Sequence, residues 1–163
     1  MQLSQNFSLA ELTRSDTAAR YALANVPDAA GIAKLRLVCE HVLEPVRAHF
    51  GRPVHVNSGY RSPAVNAKVP GSSNTSQHTL CEAVDFEVTG VSNDDVAKWI
   101  AGGGLVLGFD QLIREFRVEG DPASGWVHCS WSAARRRREV LTAARVRKLG
   151  MLRTVYSSGL VLQ

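Results

Sequence analysis

At 163 residues and 17.7 kDa, with 45% hydrophobic and 21% charged residues, the chain has the composition of one globular domain with a core of its own. No apolar run approaches the roughly 20 residues of a membrane-spanning helix, and the opening MQLSQNFSLAELTRSD lacks the basic and apolar regions of a Sec signal. Three cysteines, Cys39, Cys81 and Cys129, are too few and too scattered for a disulfide framework, which points to synthesis in a reducing compartment.

The net charge of +4 is unevenly spread: from Trp131 onward eight Arg or Lys residues face a single acid, Glu139. A basic segment, 131–163, on a mildly acidic body has the charge to meet nucleic acid, anionic lipid or an anionic wall polymer. The run Arg135 to Arg138 has no interleaved aromatics and no nucleic-acid-binding motif around it, so no nucleic-acid partner is expected.

In chain order, Ser8 is placed to cap a short helix over LAEL, and Pro27 is expected to end a second helical piece. AAGIAKLRLVCEHVLEPVRAHFG is the strongest helix. Ile32, Leu35, Val38, Cys39, Val42, Leu43 and Val46 form its apolar stripe, Pro45 should kink or divide it, and Gly51 should end it. PVHVNSGYR reads as a strand running into a turn, and SPAVNAKVPGSSNTSQ as a loop with one helical turn. Ala83–Val88 alternates as a half-buried strand does, with Val84, Phe86 and Val88 facing the core and Ala83, Asp85 and Glu87 facing the other way. SNDDVAKWIAGGG carries the signals of a capped helix ended by glycines. Gln111–Phe116 and Trp126–Ser130 read as two further strands joined by a turn-rich loop. RRRREVLTAARVRKLG fits a strand or a helix equally. The expected architecture over 1–163 is a single α+β domain: an antiparallel sheet of about four strands with helices packed on one side.

The chemistry concentrates on the remaining face. On Trp126–Ser130, Trp126, His128 and Ser130 share one side. If that strand pairs beside Ala83–Val88, then His78, Asp85 and His128 converge. Two imidazoles and a carboxylate with a fourth position open form a standard catalytic zinc arrangement; a surface His, a strand Asp and a half-buried His without metal would show the same spacing. His41, His49 and His55 have no partner spacing and read as surface or packing residues.

Ser76-Gln77-His78 leading to Ala83-Val84-Asp85, Trp126-Val127-His128 later, and Gly59-Tyr60-Arg61-Ser62 earlier together resemble one family over roughly Phe7 to Ala143. It is the zinc peptidase family of D-alanyl-D-alanine carboxypeptidases, D-Ala-D-Ala dipeptidases and phage L-alanyl-D-glutamate endolysins, in its prophage-type branch. The resemblance implies zinc bound by His78, Asp85 and His128 on the open face of the sheet. It also implies an oxyanion- or carboxylate-binding Arg61, a substrate-contacting Ser76, and cleavage of the peptidoglycan stem peptide. A monomer made in the bacterial cytoplasm, acting at the cell wall after release or as part of a phage particle, is the expected setting.

Two positions depart from the family pattern. Cys81 stands where the family has Gly, a strained choice if the backbone there has positive φ, and a thiolate that could stray toward zinc. Gly125 stands three residues before His128, where many relatives carry the acid that serves as general base. Glu115, on the strand directly before, is the expected replacement; Glu82, Glu87 and Asp121 are weaker candidates. The competing expectation is an inactive wall- or virion-binding domain of the same fold, or a protein in which the metal only holds the structure.

Overall fold

The computed structural model describes residues 1–148 and 150–162. Four strands run as the alternation predicts: β1 Val54–Ser58, β2 Ala83–Val88, β3 Gln111–Glu115 and β4 Trp126–Ser130. The sheet is larger than expected. The ambiguous basic segment forms β5, Glu139–Lys148, and β6, Met151–Ser158 follows, giving the order β1-β2-β4-β3-β5-β6. The sheet is also mixed, because β5 joins β3 in parallel while every other pairing is antiparallel. A strand wins over a helix here because β3 offers an open edge, whose backbone groups β5 satisfies from Gln111↔Glu139 to Glu115↔Ala143.

The helices follow their caps. α1, Leu9–Thr13, opens with a reciprocal capping box between Ser8 and Glu11. α2, Asp16–Arg20, stops well before Pro27, because the chain turns at Ala22 with φ 50°. α3, Ala29–Val38, passes through a π-helical turn, Cys39–Leu43, into α4, Glu44–Phe50, which Gly51 ends. The π turn lies just ahead of Pro45, which has no N–H to continue the ladder. α5, Pro63–Asn66, is one turn in the long loop, and α6, Asn93–Trp99, is capped by Ser92.

Leu35, Val38, Val42, Leu43 and Val46 from the α3–α4 helix bury against Val84, Phe86, Leu112, Val127 and Cys129 of the sheet. Phe7 and Leu12 complete that core from the N-terminal side. The longer helices α3, α4 and α6 therefore lie on one face, as expected, and Asp85, His128 and Ile113 stand in one cross-strand row on the other. That face is not bare. The 59–82 segment folds over it, and His78, Asp85 and His128 keep only 2%, 8% and 5% of their surface.

Arg114 ties α6 to the sheet. Its side chain is fully buried, bonded through Nε to Asp94 Oδ1 at 2.8 Å, with its other nitrogens on the carbonyls of Glu115, Trp126 and Pro122. Asn93 donates to the carbonyls of Ala123 and Gly125. Together they fix the loop between β3 and β4, and with it the direction in which both strands present their side chains.

Candidate metal centre

Each member of the His-Asp-His group arrives by a different route. Asp85 comes from the non-core face of β2, and His128 sits directly opposite it on β4. His78 comes from the turn before β2, and its Nδ1 lies 2.7 Å from the carbonyl of Gly59. A carbonyl only accepts, so Nδ1 carries the proton and Nε2 is left with its lone pair toward Asp85 and His128. Gly59 is needed at that spot: a Cβ there would lie 2.3 Å from the Leu12 carbonyl oxygen.

Three atoms then face one another. His78 Nε2 is 3.3 Å from His128 Nδ1 and 3.2 Å from Asp85 Oδ1, and His128 Nδ1 is 2.8 Å from Asp85 Oδ1. Zinc bonds of about 2.0–2.1 Å at tetrahedral angles separate ligand atoms by roughly 3.3 Å, so this triangle fits one such ion with little movement. Among the described residues this is the one group of His, Cys, Asp and Glu with metal-binding geometry. Without a metal, burial opposes the Asp85 charge, and ring N–H groups and positive charge from His78 and His128 outweigh it, so its pKa lies far below the carboxylate range; a metal would take the place of those ring protons. Burial pushes the His78 pKa down, which favours the neutral imidazole a metal needs.

Glu115 lies one row along from this triangle, on the same face, with Trp126 opposite it and Ile113 beside His128. Burial, helped by the nearby Asp85 charge, raises its pKa to about 7, while His128 and Arg61 pull the other way. Arg61 follows the β1 strand on the Gly59–Ser62 turn. Burial lowers its pKa, the Asp85 and Glu115 charges oppose that, and its Nε meets no hydrogen-bond partner. An orphaned guanidinium donor beside a ligand group is a donor waiting for an acceptor.

The Arg61 turn is held by a residue that sequence patterns did not single out. Asn25 donates to the carbonyls of Thr13 and Tyr60 and accepts from the Ser62 N–H. Its only local signal is that of a turn former shortly before Pro27. Ser76 makes its contacts through its backbone: its N–H donates to the Ser73 carbonyl, and its own carbonyl takes the Thr79 N–H and hydroxyl.

The two departures have structural answers. Cys81 does adopt φ 60°, and its sulfur packs toward Gly31 of α3 rather than into the His-Asp-His group. Burial raises its pKa to about 11, so it is a thiol and not a stray ligand. Gly125 has φ +64°, and a Cβ on it would come 1.9 Å from the Glu115 carbonyl oxygen. No acidic side chain can stand there in this backbone. Of the weaker acids, Glu82 is taken by Lys34 and Arg135, Glu87 by Asn57, and Asp121 by the loop amide of Ala123.

The arginine run is similarly occupied. Arg135 pairs with Glu82, Arg137 with Asp110 and Glu139, and Arg136 stacks over Trp131. These contacts account for Arg135 to Arg137 as clamps on the body of the domain.

Two buried histidines and a carboxylate around one point, with an acid near neutrality and a free arginine donor beside them, define a candidate metallohydrolase centre. Residues 5–109 match the sequence model of the family described as Peptidase M15, and the chain belongs to this family, the zinc carboxypeptidase and endolysin peptidase group its motifs resemble. The match ends before β3 and so does not cover Glu115 or His128, which the pairing of β2, β4 and β3 brings beside Asp85. No curated protein matches the chain.

Proposed function

We propose that the protein is a zinc-dependent peptidase acting on the peptidoglycan stem peptide, with His78, Asp85 and His128 as ligands, Glu115 as general base and Arg61 as oxyanion or carboxylate clamp. The observation that carries this reading is the ligand triangle, whose 2.8–3.3 Å edges suit one zinc ion. Zinc held there would supply a Lewis acid and an acidified water at neutral pH.

The chain's own residues do the rest. Glu115, near neutrality, accepts a proton from the attacking water and returns it to the departing amine. Arg61 directs its free donors at the oxygen that gains charge, or at a substrate carboxylate. Ser76, half-buried next to the ligand turn, contacts the bound peptide. The same sheet face continues from Glu115 across the buried Ala143 to Tyr156 of β6. Arg145, 4.5 Å over the Phe116 ring, brings positive charge to that side of the sheet, suited to the carboxylates of a stem peptide.

The test is metal analysis together with mass spectrometry of muropeptides after incubation with purified peptidoglycan. Bound zinc and a new peptide-bond cut support the reading. Bound zinc with intact muropeptides, and retention on insoluble wall, would favour an inactive binding domain of the same fold.

A further inference from the structure

Resting on the zinc reading of the site, the geometry points to Gln77, Asp110 and Arg137 as a positioning chain that sets which nitrogen of His128 faces the metal. Gln77 Nε2 lies 2.6 Å from Asp110 Oδ2, and Gln77 Oε1 lies 3.4 Å from His128 Nε2. Asp110 is fully buried and gripped by Arg137, whose Nε and Nη2 reach its two oxygens at 2.8 and 3.0 Å.

The polarity of this chain has one solution. The Arg137 guanidinium lowers the Asp110 pKa, so the carboxylate only accepts. The Gln77 amide must therefore turn its NH₂ to Asp110, which leaves its oxygen toward His128. That oxygen accepts a hydrogen bond from Nε2–H, so the proton stays on Nε2 and Nδ1 keeps the lone pair it needs 2.8 Å from Asp85 and 3.3 Å from His78 Nε2. His78 is set by the Gly59 carbonyl in the same way. Each imidazole is thus held in the required tautomer by a protein oxygen on its far side. The basic run is then joined to the site through three contacts: Arg137 orients Asp110, Asp110 orients Gln77, and Gln77 orients His128.

A cycle of variants tests the polarity. Gln77→Ala removes the acceptor and is expected to weaken zinc binding by about 10–100-fold, measured by competition with a chromophoric chelator. Gln77→Glu sets a second carboxylate 2.6 Å from Asp110 and is expected to weaken it as well. Asp110→Asn offers an NH₂ to Gln77, flips the amide, and drives His128 to the wrong tautomer. The double variant Gln77→Glu with Asp110→Asn restores a donor facing an acceptor between positions 77 and 110 and returns an acceptor to His128, at the loss of the Arg137 Nη2 contact, so binding should recover in part and exceed that of either single variant. The visible spectrum of the cobalt(II) protein should change in each single variant and move back toward wild type in the double.

Wild-type affinity and an unchanged cobalt spectrum in Gln77→Ala would overturn the chain while leaving the zinc site standing. So would a double variant, folded by circular dichroism, that binds no better than either single one. A wild-type protein that binds no zinc removes the parent reading and this one together.

Discussion

Glu115→Gln tests the catalytic role of this side chain and the cost of burying its charge in one variant. In the metal-free protein the Glu115 carboxyl titrates at about 7 instead of the ordinary 4.5, chiefly because it is buried. Its folded-state pKa is raised, so between these values the folded protein holds a proton that the unfolded chain releases. Stability therefore falls as pH rises from about 4.5 through about 7. At ~1.4 kcal/mol per unit, the ionised carboxylate costs the folded state roughly 3 kcal/mol above that window, and nothing below it. Gln keeps the shape and never ionises. Urea denaturation of the chelated proteins should show equal stability near pH 4, with the Gln variant ahead by up to that amount at pH 8. Hydrolysis should fall by about 10²- to 10⁴-fold, the usual contribution of a general base, while zinc is retained. Activity within a few-fold of wild type would exclude Glu115 as the base. Identical pH dependence of stability in the two proteins would refute its burial as the source of the shift. Loss of zinc would make Glu115 a ligand or a support of one.

Three further outcomes are expected. His78→Ala and His128→Ala should each abolish tight zinc binding, and Asp85→Ala should weaken it, by metal analysis of purified protein; chelation of the wild type should lower its Tm, since the ion binds only the folded site. Asp94→Ala leaves the fully buried Arg114 without its carboxylate and should cost about 3–5 kcal/mol in denaturant titrations. Gly125→Glu should not supply the family's usual acid but destabilise by about 2 kcal/mol or more, because φ +64° disfavours a side chain and its Cβ would meet the Glu115 carbonyl.

What the sequence by itself determined is what short-range physics encodes. Strand alternation sorted Asp85 from Val84 and Phe86, and His128 from Val127 and Cys129, because adjacent side chains on a strand must point to opposite faces. Ser8 and Glu11 announced α1 because both halves of a capping box lie within one turn. The family's fingerprint was equally local, lying in the turn before β2 and in the strands. Local pattern left β5 open, since EVLTAARVRK suits either period and only the free edge of β3 decides it. Nor could it reach the contacts that arm the site. Arg114 meets Asp94 across 20 residues, Gln77 meets Asp110 across 33, and Asn25 holds Ser62 across 37. Each is a polar group whose worth depends on burial and on a partner brought from another element, and a linear pattern carries neither. Tertiary structure alone also closed Gly125 to a side chain and turned the Cys81 sulfur away from the metal group, because both outcomes are set by where a neighbouring backbone passes.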